Sequence, residues 1–107
     1  MKSLKFAPPL VPLILKGEKT ITWRLFDDKN LQEGDLVRFL NSETTKEFAT
    51  AKLIKVVSKK MKEVDDGDFD GHEKFTSKEQ MYETYSNYYS KQITPETVVK
   101  VVKFELL

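Results

Sequence analysis

The segment Lys19-Thr20-Ile21-Thr22-Trp23-Arg24-Leu25 narrows most what this chain can become. Polar and apolar residues alternate along it, so Ile21, Trp23 and Leu25 share one face and Thr20, Thr22 and Arg24 share the other. That period belongs to a strand. Ser3–Phe6, Leu36–Leu40, Phe48–Val57 and the β-branched Val98–Leu107 also read as strands. Turn chemistry separates them, in Asp27-Asp28-Lys29-Asn30, Glu33-Gly34-Asp35 and Asn41-Ser42-Glu43-Thr44. The apolar phase changes near Leu53-Ile54, which predicts a bulge or bend inside the long strand.

Helices fit between these strands. Prolines suit a first helical turn, so Ala7-Pro8-Pro9 leads into a short helix from Leu10 to Lys16, closed by Gly17. Thr76 with Glu79 and Ser77 with Gln80 form two overlapping capping boxes, and these predict a helix from Lys78 to Tyr89. Lys59 to Val64 is short and charged, and Asp65 to Gly71 reads as an acidic loop bounded by glycine. The expected fold class is α+β, mainly β: a small, partly closed barrel of five strands with two or three helices against it. The Ile21, Trp23 and Leu25 face supplies the apolar side that a barrel strand needs.

Composition then removes whole classes of function. The 107 residues suffice for one domain, expected to span 1–107, with an ordinary soluble balance of 39% hydrophobic and 33% charged residues. The lack of cysteine excludes a disulfide scaffold, a thiolate zinc site, an iron–sulfur cluster and a cysteine nucleophile. A single histidine, His72, excludes an intrachain multi-histidine metal site and reads as a surface residue. The net charge of +1 lacks the basic excess of a dedicated duplex-DNA binder. The apolar run Leu10–Leu15 is interrupted by Pro12 and is far shorter than the roughly 20 residues of a membrane span. No signal peptide pattern stands at the N-terminus, so the expectation is a cytoplasmic protein, monomeric and without a membrane partner. No cofactor and no metal site are expected.

Some residues carry candidate chemistry. Thr20, Thr22 and Arg24, with Lys19 at the strand entrance, put hydroxyls and cations on one rim, as a phosphate, a carboxylate or a base edge would require. An ordinary solvated strand face reads the same way. Lys19 and Thr22 differ by three positions and act together only if Lys19 sits in the turn before the strand. Asp66-Gly67-Asp68-Phe69-Asp70-Gly71 opens like a calcium loop, but the twelfth position is Ser77 where a bidentate glutamate is needed. Glu73 is a candidate general acid or base, a partner for Lys19, or a solvated loop carboxylate. Met81, Tyr82, Tyr85, Tyr88 and Tyr89 fall at helical spacing, as a packing stripe or a stacking platform for a base.

Gly17-Glu18-Lys19-Thr20-Ile21-Thr22-Trp23-Arg24, the Glu33-Gly34-Asp35 turn with its strand, and Gly71-His72-Glu73-Lys74-Phe75 before the tyrosine-bearing helix together resemble the ASCH domain, a branch of the PUA-like superfamily. The resemblance covers nearly the whole chain and implies a small β-barrel with helices bordering a cleft. It implies RNA binding as a general role. One bacterial branch, similar in length, is an amidohydrolase that removes the acetyl group from N4-acetylcytidine. Its lysine falls on Lys19, its threonine on Thr22 and its glutamate on Glu73. The resemblance thus implies amide hydrolysis of an N4-acylated cytidine-type substrate. Thr22 is then the nucleophile, and Lys19 its base once burial or Arg24 lowers the lysine pKa. Glu73 positions water or carries a proton. Thr20, Arg24 and Arg38 are the ligand-binding candidates, and Arg24 or backbone donors would stabilise the oxyanion. Trp23 departs from that branch, which has a smaller aliphatic residue there, as do the acidic loop and the four tyrosines. The alternative is a non-catalytic RNA- or nucleotide-binding module, or an RNA-directed nuclease. The expected partner is accordingly a nucleoside-type small molecule or single-stranded or structured RNA.

Overall fold

The computed structural model describes residues 1–72 and 74–107. Its strands are β1 (Lys2–Phe6), β2 (Ile21–Leu25), β3 (Leu36–Asn41), β4 (Glu47–Lys60) and β5 (Val98–Leu106). Its helices are α1 (Val11–Leu15), α2 (Asp66–Phe69) and α3 (Lys78–Tyr89), with single 3-10 turns at Pro8–Leu10 and Met61–Glu63. The fold is α+β and mainly β. One five-stranded sheet runs in the order β1-β3-β4-β5-β2, with β1 parallel to β3 and the other pairs antiparallel.

The sheet curls until its two edge strands meet. Arg24 of β2 donates through Nη2 to the Lys5 carbonyl of β1 at 3.1 Å and lies over the Phe6 ring at 4.7 Å. A side chain, not a strand ladder, therefore spans the seam between β1 and β2. The curl comes from irregularities that the sequence partly announces. The register of β4 against β5 shifts between Leu53 and Lys55, where the apolar phase changes, and that of β3 against β4 shifts after Phe39. Each bulge bends its strand and increases the local twist.

Two apolar clusters lie on opposite sides of this sheet. The inner one fills the half-barrel with Leu4, Phe6, Val37, Phe39, Ala51, Leu53, Val102 and Phe104, joined by Ile14 of α1 and Leu31. The outer one lies between the sheet and the later helices and contains Ile21, Trp23, Leu25, Val99, Val101, Met61, Met81 and Ile93. Here the structure corrects the expected orientation of β2. Ile21, Trp23 and Leu25 point to the outer cluster. Thr22 pairs with Val102 of the inner cluster and so shares the inner face.

Three local readings also change. Asp65–Gly71 is not an irregular loop: Asp65 accepts a bond from the Gly67 amide and caps the one-turn helix α2. The Asp68 carboxylate turns inward to Lys59 Nζ at 2.8 Å, away from any calcium-loop arrangement. The strand expected to stop at Val57 continues to Lys60, because Ser58, Lys59 and Lys60 keep pairing with Lys100, Val99 and Val98. Of the two capping boxes expected before α3, the structure forms the Ser77 half of one, with the Gln80 side chain turned to the Thr76 amide instead of the Ser77 amide. Ser77 Oγ accepts from the Gln80 amide at 3.1 Å, and Gln80 Oε1 accepts from the Thr76 amide at 2.6 Å. No helix among the described residues is long and apolar enough to cross a membrane.

Candidate functional site

The seam between β1 and β2 opens into a cleft of about 350 Å³. One lip is β1 and the turn after it, with Lys5, Phe6, Pro9 and Leu10. The other lip is β2 with its entrance, giving Lys19, Thr22, Trp23 and Arg24. His72, Phe75 and the α3 residues Thr84, Tyr85, Tyr88 and Tyr89 form the roof.

Lys19 and Thr22 reach this cleft together for a backbone reason. Past the end of α1, Gly17 turns the chain with a φ of +80°, and the Glu18 and Lys19 amides both donate back to the Leu13 carbonyl. The chain thus turns sharply, and Lys19 stands outside the strand that begins at Ile21. Free of strand alternation, its side chain folds alongside β2, and Nζ donates to the Ile21 carbonyl at 2.8 Å. Lys19 and Thr22 are each only 4% exposed. The geometric condition set by their spacing is met.

A second backbone clamp builds the roof. The Gly71 carbonyl accepts from both the Thr20 and Ile21 amides, at 2.8 and 3.1 Å. This ties the segment after α2 to the start of β2 and sets His72 over Trp23. The two rings stack at 4.2 Å with 17° between their planes. His72 is therefore buried and not a surface residue, and its Nε2 lies 3.2 Å from the Tyr85 hydroxyl. Trp23 packs on Phe69 as well, and its Nε1 donates to the Asp68 carbonyl at 3.2 Å. Its large ring serves the outer cluster and the cleft wall at once.

Arg24 has an unusual environment. Burial pushes its guanidinium below its ordinary pKa, against the opposing pull of Tyr89, Tyr88, Tyr85 and Asp27. An arginine remains charged even so. Its Nε is buried and has no hydrogen-bond partner among the described residues. Burial likewise raises the Tyr89 pKa, opposed by the Leu25 amide that donates to its hydroxyl at 3.2 Å and by Arg24.

The other candidates lie elsewhere. Thr20 is at the entrance of β2, with its side chain toward Gly71, outside the cleft. Arg38 projects from the outer surface of β3, with Nε 3.2 Å from Glu47 Oε1. Glu73 lies outside the described residues. Lys5, Phe6, Pro9 and Leu10 carry no sequence signal for a site and enter only because the sheet closes on itself. The stripe expected from Met81 and the α3 tyrosines is divided by the structure: Met81 is buried in the outer cluster, whereas Tyr88 is 62% exposed at the cleft mouth.

No family model matches the sequence, and no curated protein matches it significantly. Solved structures do match. Protein EF3133 from Enterococcus faecalis V583, of the family DUF984, superposes with a TM-score of 0.80 at 17% identity, over 100% of this chain and 76% of that one. The ASCH domain from Lactobacillus crispatus JV V101 gives a TM-score of 0.73 at 17% identity, over 98% and 78%. The chain has the ASCH-domain fold. The hypothetical protein PH0355 shares it at a TM-score of 0.75 and 22% identity, each chain covered in full. Of the buried polar side chains among the described residues, Lys19, Thr22 and His72 line the seam cleft, whereas Asp68 lies apart with Lys59.

Proposed function

We propose that the seam cleft binds a nucleoside-type small molecule and hydrolyses an amide on it, the substrate being an N4-acylated cytidine. The observation that carries this reading is the joint presentation of Lys19 and Thr22, both buried, to one aromatic-walled cleft. A pyrimidine ring stacks on the α3 tyrosines, which leaves its exocyclic amide toward Thr22.

Chemically, Thr22 Oγ attacks the acyl carbonyl while Lys19, as the free amine, takes the hydroxyl proton. The tetrahedral carbon collapses with cleavage of the C–N bond, and the proton passes to the departing cytosine amine. Water then cleaves the threonyl ester, releases the carboxylate and restores the hydroxyl. Glu73 keeps the part that the resemblance gives it, positioning that water or carrying the proton.

The test is release of cytidine from N4-acetylcytidine, followed by chromatography, for wild type beside Lys19→Ala and Thr22→Ala. Loss of a general base lowers the rate by about 10²–10⁴-fold, so both variants should fall near background while keeping a cooperative thermal melt. Folded wild type that binds cytidine without turning over the amide would remove catalysis and leave a nucleoside-binding module. Oligonucleotide binding that weakens steeply with salt would move the reading to RNA.

A further inference from the structure

Among its described residues, the cleft presents more cations than hydrolysis of a neutral nucleoside uses. Among the described residues that line it, the charged ones are Lys5, Lys19 and Arg24, all cationic, in a chain whose net charge is +1. Lys19 is assigned to Thr22. Lys5 and Arg24 stand on opposite lips of the seam, joined by the bond from Arg24 Nη2 to the Lys5 carbonyl.

A guanidinium taken out of water is ordinarily matched by a carboxylate. Among the described residues, Arg24 has no such carboxylate to itself: its contacts there are a backbone carbonyl and the face of Phe6, and its Nε has no hydrogen-bond partner. Asp27, a carboxylate near enough to act on it, is itself held by Lys100 at 2.7 Å. What remains is a fixed, desolvated cation beside the exposed Lys5 and an aromatic roof. The planar donor array of arginine matches a phosphate, and lysine adds a point charge.

We propose that the ligand of this cleft is a nucleotide, its phosphate monoester seated between Lys5 and Arg24 and its base against the α3 tyrosines. This rests on the reading of the cleft as a nucleoside site and adds the charged group to it. A mononucleotide fits better than a polymer. The volume of about 350 Å³ lies at the small end of small-molecule sites, and a net charge of +1 gives little to track a long polyanion.

Calorimetric titration of the folded chain with cytidine, cytidine 5′-monophosphate, adenosine 5′-monophosphate and inorganic phosphate tests this. The monophosphate of cytidine should bind at least about tenfold more tightly than cytidine, as expected for charge-assisted bonds. That advantage should shrink as salt is raised, a readout that needs no variant. Lys5→Ala, at an exposed position, and Arg24→Lys, which keeps the charge and loses the planar donors, should each reduce the ratio severalfold. Equal, salt-insensitive binding of cytidine and its monophosphate would overturn the phosphate seat and leave the nucleoside reading intact. Binding of adenosine 5′-monophosphate that depends on Arg24, with no binding of either cytidine ligand, would keep the seat and overturn the cytidine reading. Failure of every nucleotide and of phosphate to bind would overturn both.

Discussion

The two apolar clusters share one sheet and differ in kind. The inner cluster is built mainly from strand side chains, with Phe6, Phe39 and Phe104 in mutual edge and tilted contact. The outer cluster mixes strand residues with Met61, Met81 and the ring stack of Trp23, His72 and Tyr85, which carries polar atoms. β2 belongs to both. Buried on each face, it can hold Thr22 and Arg24 on the inner side while Trp23 anchors the roof on the outer side. The inner cluster fixes the strand, and the outer one decides what lies over it. A site at the junction gains a floor of strand residues and a wall of aromatic rings.

Substitution separates these duties. Phe39→Ala should have the largest effect, because Phe39 has no exposed surface and its ring meets three other phenylalanines. Truncating such a ring costs about 3–5 kcal/mol, to be read from the urea midpoint. The affinity of the remaining folded protein for nucleotide should be unchanged. A loss of affinity equal to that of a cleft variant would break the division of labour.

Gly71→Ala comes next and strikes the clamp between the two regions. Gly71 has φ of +89°, and an added Cβ would stand 2.0 Å from Thr20 Oγ1. Left-handed backbone and overpacking together cost about 2–4 kcal/mol. Gly17→Ala, at φ of +80° with open space around the new Cβ, should cost only the backbone part, about 1–2 kcal/mol. Equal losses at the two glycines, measured by denaturation, would show that the Thr20 contact yields freely and that the clamp is soft.

Local signals in the sequence carry over to the structure. Alternation at Ile21–Leu25, the phase change at Ile54 and the Ser77 cap were legible because each is local: a period or a capping residue acts within a few positions. The orientation of β2 was not. Alternation says that two faces differ, but only the curl of the whole sheet determines that both are covered. His72 departs from its expected surface position for a related reason. Its burial depends on the Gly71 carbonyl reaching Thr20 and Ile21, a contact across fifty positions that no local pattern encodes. For the site, the type and spacing of Lys19 and Thr22 pointed to shared chemistry. The lip from Lys5 to Leu10 was invisible until the edges met.

Tyr88→Ala tests the aromatic wall. With 62% of its surface exposed, Tyr88 contributes little to folding, and its loss should alter stability by under about 0.5 kcal/mol. Base stacking on an aromatic ring is worth about 1–3 kcal/mol, so nucleotide binding should weaken by at least several-fold in the same variant. Unchanged affinity would remove the base from the mouth of the cleft and leave Tyr85 and Tyr89 as its seat.

The smallest effect lies outside both clusters and shows how the outer one is pinned at its rim. Glu96 accepts from Lys62 at 2.6 Å and pairs with Lys60 at 2.9 Å, which ties the turn bearing the fully buried Met61 to the loop before β5. These bonds, Lys62 first and Lys60 second, hold the Glu96 carboxyl down to about 2 from its ordinary 4.5. A carboxyl more acidic in the folded than in the unfolded chain stabilises at pH above its unfolded value. Its contribution is therefore complete above about pH 4.5 and fades as the pH falls toward about 2. The group is exposed, so salt should weaken the effect. Denaturation midpoints measured between pH 6 and pH 2, with assays set at roughly unit steps, should fall less steeply for Glu96→Gln than for wild type at low salt. The two profiles should converge at high salt. Parallel profiles at low salt would mean that Met61 is held by its own burial and by the backbone bonds of its turn to Pro95 and Thr97, with the ion pairs adding nothing.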